Sequence, residues 1–217
     1  MRPPDSLKGS AHLSRDRQRR VRTAYHEAGH AVAALLLGLP LEEVSISTDA
    51  EHELVGGTHC RPRLAHLDPD THWGRVTPED AGQLRAAIMV SCAGPLAEAR
   101  CTGRFTWRCG EGDRETAMEY ARYVRHDPAA FQAYLDALFR QTTELIYAPQ
   151  TWPLVEAVAR ALLERGRLDG PQARRLVEQA SRRGGVLLAL GDSSAVPVEI
   201  QGAKGALQRR GRRRANR

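Results

Sequence analysis

The chain has 217 residues, enough for one ordinary domain plus tails. Its net charge of +6 suggests a nucleic-acid binder until its distribution is read. Residues 201–217 hold seven basic and no acidic residues, residues 1–22 hold seven basic and two acidic, and the stretch between is left at −6. The basic character therefore belongs to the ends and the body is mildly acidic, and a hydrophobic content of 41 % with only 5 % aromatics predicts a core of Leu, Val and Ala.

Residues 1–14, with Pro3, Pro4, Gly9 and Ser10, read as a flexible leader. A helix is expected from Ser14 or Asp16 to Leu37, stopped by Gly38 and Pro40. Glu43 to Ser47 alternates as a short strand, and Leu54 to Cys60, with Gly56 and Gly57, reads as a second one. Residues 61–76 form a polar loop. Thr77-Pro78-Glu79-Asp80 is a strong helix start, with a hydroxyl cap, proline in the first turn and acids near the dipole. That helix should reach Cys101, kinked or broken at Pro95. Further helices are expected over 113–124, from Pro128 to Tyr147, from Pro153 to Gly166, and from Gly170 to Arg182. The fold class predicted is mainly α (α+β), with a small β element directly after the first helix. The domain should occupy residues 15–183, and 184–217 should be a basic, disordered tail.

Cys60, Cys92, Cys101 and Cys109 form no Cys-x-x-Cys pair, so a zinc ribbon is not indicated and free thiols are the plain expectation. No apolar core of a signal peptide is present near the start, and the longest apolar run, Ala31 to Leu41, is shorter than the about 20 residues a bilayer requires. A soluble, cytoplasmic protein without membrane contact is the expectation. The tail arginines 209–214 lack interleaved aromatics, so any nucleic-acid contact is expected to be non-specific and of phosphate type.

The chemistry concentrates in His26-Glu27-Ala28-Gly29-His30. Positions i and i+4 of a helix share a face, so both imidazoles can reach one metal ion while Glu27 acts on water beside it. A chance match in a solvated helix is the plain alternative. The apolar run that follows, Ala31 to Leu37, favours a buried metal helix over it. Catalytic zinc takes a third protein ligand. Ala31 to Leu37 supplies no further His, and His52, His59, His66 and His72 lie in a polar stretch where solvation explains them. Glu98, on a small-residue helix that should be buried, and Asp113, which opens a helix where N-capping is its plain role, are better placed. Spacing alone leaves both open.

Ala24-Tyr25-His26-Glu27-Ala28-Gly29-His30-Ala31 resembles the signature of the FtsH-type (M41) ATP-dependent zinc metallopeptidases. The resemblance continues in order through Glu43-Val44-Ser45-Ile46, Val55-Gly56-Gly57-Thr58, Ala93-Gly94-Pro95-Leu96-Ala97-Glu98, Gly112-Asp113 and Leu162 to Gly170. It covers roughly residues 20–180. It implies one zinc held by His26, His30 and Asp113, Glu27 as catalytic base, and Glu98 as a carboxylate orienting a ligand histidine. It also implies an extended polypeptide substrate bound along the strand Val55, Gly56, Gly57 and Thr58. Pro95 stands where the family has arginine, and no Gly-x-x-x-x-Gly-Lys-Ser/Thr occurs. The expectation is therefore a stand-alone zinc endopeptidase acting on flexible or unfolded segments. A separate ATPase or a homo-oligomer are its open partners. Two alternatives remain at this point: a non-catalytic binding module that keeps the fold and holds a protein partner, and a zinc hydrolase using Glu98 as third ligand.

Overall fold

The computed structural model describes residues 6–48, 54–60, 62, 64, 76–105, 111–125 and 127–184. Among them six helices and three strands follow in the order α1 (Ser6–Leu36), β1 (Leu41–Thr48), β2 (Leu54–Cys60), α2 (Pro78–Thr102), α3 (Glu111–Arg122), α4 (Pro128–Tyr147), α5 (Trp152–Arg165), β3 (Arg167–Asp169) and α6 (Gly170–Arg183). The result is mainly helical with one small antiparallel sheet, as the sequence predicts. The expected tail, the loop 65–75, His52, His66, His72 and Cys109 lie outside the described residues.

Local chemistry sets most helix ends. Thr77 caps α2 by accepting from the Asp80 amide, and the Asp80 carboxylate accepts in return from the Thr77 amide at 3.0 Å, a closed capping box behind Pro78. The carboxylates of Asp127 and Asp169 cap α4 and α6, each followed within two residues by proline. Gly103 and Gly166 end α2 and α5 in the left-handed region, φ 71° and 77°, where a Cβ is disfavoured.

Two expectations differ from the structure. α1 begins at Ser6, inside the segment expected as a leader. Beyond Pro4 no proline interrupts it, and Leu7, Lys8 and Ala11 are good helix formers, so Gly9 costs only about 1 kcal/mol. α2 runs through Pro95 without a break. A proline inside a helix costs about 3 kcal/mol or more. Every residue from Ala86 to Ala99 is buried, and burying a single Val, Leu or Ile side chain contributes about 1.5–3 kcal/mol, so packing overrides the local penalty.

The sheet order is β2-β1-β3, both pairings antiparallel. β3 is absent from the sequence reading because it is three residues between Gly166 and Gly170. It exists through pairing of Arg167–Asp169 with Glu43–Ser45, aided by an Ile46 amide bond to the Gly166 carbonyl at 2.7 Å. β2 is an edge strand, with β1 on one side and no partner on the other among the described residues.

The main core joins α1, α2, α5, α6 and the sheet through small and aliphatic residues, among them Ala28, Val32, Leu35, Val44, Ala93, Leu96, Leu162 and Leu168. Gly29 marks a close approach of α1 to α2: a Cβ there would lie 2.6 Å from both the Ala93 carbonyl oxygen and the Ala97 methyl. A smaller cluster of Ile88, Met89, Ala117, Ala121 and Leu138 ties α3 and α4 to the far side of α2.

Candidate metal centre

His26 and His30 occupy one face of α1, a turn apart, with ring centroids 4.7 Å apart and Nε2 atoms 3.1 Å apart. Both are buried, and the other nitrogen of each ring is engaged by α2. His30 Nδ1 lies 2.7 Å from the Val90 carbonyl oxygen. A carbonyl only accepts, so Nδ1 carries the proton and Nε2 presents its lone pair. His26 Nδ1 lies 3.3 Å from Glu98 Oε2. Arg22 in turn donates to Glu98 Oε1 from Nε at 2.8 Å and from Nη2 at 2.5 Å. Gly94 allows the His30 ring its place, since a Cβ there would collide with the imidazole.

Asp113 enters from the first turn of α3. Its Oδ2 lies 3.0 Å from His26 Nε2 and its Oδ1 3.3 Å from His30 Nε2. Its carboxylate therefore points to the two imidazoles, not to the N-capping role that was the plain alternative. Ligands about 2.0–2.1 Å from a tetrahedral zinc stand about 3.4 Å from one another. The two imidazole nitrogens, 3.1 Å apart, are close to that edge, each has its own Asp113 oxygen within 3.3 Å, one ligand atom from each of the three residues lies within 4.8 Å of the others, and the donors are the nitrogen and oxygen types zinc accepts. The residues thus fit a zinc ion. Among the described residues they form the one group of three such side chains within reach of a common ion.

The charges agree. Burial alone would pull the His26 imidazole down, but hydrogen bonds to Asp113 and Glu98, with the charge of Glu27, outweigh it and raise its pKa from 6.5 to about 10. Burial pushes the Asp113 carboxyl up, and its bonds to His26 and His30 overcome this and hold it well below the usual carboxylate range. Two carboxylates thus meet His26 from opposite sides. A metal taking the Nε2 side displaces a proton there. Glu98 sits on the Nδ1 side with one oxygen engaged by Arg22, so it does not join the donor cluster. Cys60 and Cys92 are driven up to about 11 and about 12 by burial, which keeps both as thiols rather than metal-binding thiolates.

Glu27 is buried beside the donors and held by β2. The Thr58 hydroxyl donates to Glu27 Oε2 at 2.8 Å. Gly56 leaves room for the same carboxylate, because a Cβ there would overlap Oε1. All four of these side chains and Glu98 border one cleft of about 880 Å³, whose further walls include Gly56, Gly57, Thr58, Cys60 and Tyr120. The residues singled out from sequence are therefore brought together, with two qualifications. Thr58, expected along a substrate-binding strand, turns its hydroxyl to Glu27, and Val55 is described only through its backbone pairing with Ser47. His59 is exposed on β2 and stands apart from the donors. Arg22 and the Val90 carbonyl were not anticipated. Arg22 was findable in principle, being four residues before His26 and so on the same helical face.

Fold and site together define a mainly helical α+β domain with a candidate metal centre of two histidines and one aspartate. Comparison with known proteins gives a distant relationship of matching kind. The chain is 33 % identical over 175 residues to the ATP-dependent zinc metalloprotease FtsH 1 of Symbiobacterium thermophilum, a match covering 73 % of this chain and 29 % of that protein. The chain thus spans less than a third of the length of the curated relative it matches. No family model matches the chain. No helix among the described residues is long and apolar enough to cross a membrane.

Proposed function

We propose that the chain is a zinc-dependent endopeptidase of FtsH type, with residues 15–183 as the peptidase-like domain. The observation that carries this is the convergence of His26, His30 and Asp113 beside the buried carboxylate of Glu27 in one open cleft. His26 Nε2, His30 Nε2 and an Asp113 oxygen would hold the ion, and Glu98 and the Val90 carbonyl keep the two rings in the ligating tautomer. Bound there, zinc supplies Lewis acidity, which eases ionisation of water and polarises a peptide carbonyl.

The chain's own residues do the rest. Glu27 takes a proton from the attacking water as its oxygen bonds to the carbonyl carbon. As the carbon–nitrogen bond breaks, Glu27 returns that proton to the departing amine, so it begins and ends as a carboxylate. Thr58 fixes Oε2, which leaves Oε1 for the proton transfer. The free edge of β2, over Val55, Gly56, Gly57 and Thr58, offers backbone groups to an extended segment of an unfolded or flexible polypeptide. An ATPase partner would widen the substrate range to folded proteins.

Glu27→Gln keeps size and removes the base. The variant should retain zinc and lose casein cleavage by about a thousandfold, in the middle of the range for general-base removal. Casein cleavage at the parental rate by the zinc-loaded variant would overturn the assignment. Zinc binding by both proteins, with no turnover of any unfolded substrate by the parent, would favour the non-catalytic binding module instead.

A further inference from the structure

Among the described residues, charge is unevenly spread along the cleft. α1 and α2 lie side by side in opposite senses, because His26 meets Glu98, Gly29 abuts Ala93 and Ala97, and His30 meets Val90. The cleft therefore has a His26 end and a His30 end. At the His30 end stands Val90, with Ala87 one turn before it on α2, both uncharged. At the other end stand Arg22 and Arg19, four and seven residues before His26 on the same face of α1. Arg22 engages Glu98 and is still 42 % exposed. Arg19 is exposed, and its backbone carbonyl, not its guanidinium, accepts from the Thr23 hydroxyl. A neighbouring cavity of about 690 Å³ shares Arg22 and Glu98 and adds Arg17 and Arg104, both exposed. Apart from Glu27 and Asp113, Glu98 is the one acid among the described residues lining either cavity.

We infer that this end of the cleft selects acidic side chains, so that the preferred ligand is an extended peptide carrying Asp or Glu to one side of the bond over His26 and His30. For a segment running along α1, helical rise sets the register. At about 1.5 Å per residue, Arg22 lies about 6 Å and Arg19 about 10.5 Å along α1 from His26. An extended chain advances about 3.3 Å per residue, so the acids belong about two and three residues from that bond. The β2 edge binds any sequence through its backbone, and the arginines choose among sequences. The planar guanidinium fork suits a carboxylate, and its attraction is exposed and therefore sensitive to salt.

The inference rests on the peptidase reading for cleavage, but its binding component can be measured without turnover. Zinc-loaded Glu27→Gln protein is titrated, by fluorescence anisotropy, into labelled peptides with an apolar centre. The peptides carry Glu, Gln or Lys two and three residues to either side. The Glu peptide should bind about fivefold tighter than the Gln peptide at about 0.05 M salt, with the difference gone by about 0.5 M. Adding Arg19→Glu should reverse the order in favour of the Lys peptide. Arg140→Glu, an exposed site on α4 that lines neither cavity, should keep the preference for Glu. Equal binding of Glu and Gln peptides at low salt overturns the inference, as does an equal effect of the Arg19 and Arg140 changes. Parental cleavage without acid preference would sink this inference and leave the peptidase reading. Acid preference without parental cleavage would do the reverse.

Discussion

The candidate metal donors sit on two unlike pieces of structure. His26 and His30 belong to the C-terminal half of α1, where every residue from His26 through Leu35 is buried and Gly29 locks the helix against α2. Asp113 belongs to α3, a helix of twelve residues in which Ala117 and Ala121 are the buried ones. The contrast teaches that the two imidazoles are set by the core itself, whereas the carboxylate is delivered by a lightly anchored arm. On the proposed reading, zinc adds a tie between them beside the packing of α3 on α2.

The largest test of this contrast is on the core side. Gly29→Val places side-chain atoms into the Ala93 carbonyl and the Ala97 methyl, and should cost about 3 kcal/mol or more, read as a fall in thermal midpoint. A midpoint within about a degree of the parent would mean that α1 and α2 are not locked there. Next comes chelation. Removing zinc should speed amide exchange in α3 by about tenfold while residues 26–35 stay protected. Equal acceleration in both would erase the distinction between frame and arm.

Proton binding gives a third, smaller effect. In zinc-free protein His26, raised from 6.5 to about 10, contributes stability that is complete below pH 6.5 and is lost as pH rises through about 10. Asp113, lowered from 3.8, contributes fully above pH 3.8 and loses its part as pH falls through its depressed value. Chelated protein should therefore have its highest urea midpoint between pH 3.8 and 6.5, declining toward pH 10, and Asp113→Asn should flatten this profile. Zinc affinity should run the other way and rise with pH, with about one proton released per ion at about pH 7, measurable by calorimetry in buffers of different ionisation enthalpy. The smallest effect is expected at Arg22. Arg22→Gln loosens Glu98 behind His26 and should weaken zinc retention about tenfold in a competition titration, without unfolding the chain.

How legible each part was in the sequence follows from how local its cause is. The caps at Thr77, Asp127 and Asp169 depend on residues three apart, and the structure has helices starting there. His26, Glu27 and His30 were legible for the same reason, since one helical turn defines their geometry. Asp113 was not fixed by spacing, because its approach depends on how α3 docks more than eighty residues later in the chain; the family resemblance pointed to it. β3 was invisible because three residues become a strand only by pairing with β1. Pro95 departs from expectation because the local rule against proline meets a segment whose surroundings are entirely buried. Arg22 and the Val90 carbonyl escaped because their partners lie across the α1–α2 interface, 76 and 60 residues away in sequence.

Zinc content after dialysis, compared between the parent, Asp113→Ala and Glu98→Ala, tests the assignment of the third donor most directly. The parent should hold about one zinc per chain, Asp113→Ala should lose it, and Glu98→Ala should keep the site with affinity weakened about 10- to 100-fold. Full zinc retention by Asp113→Ala, with loss confined to Glu98→Ala, would contradict a centre built from His26, His30 and Asp113.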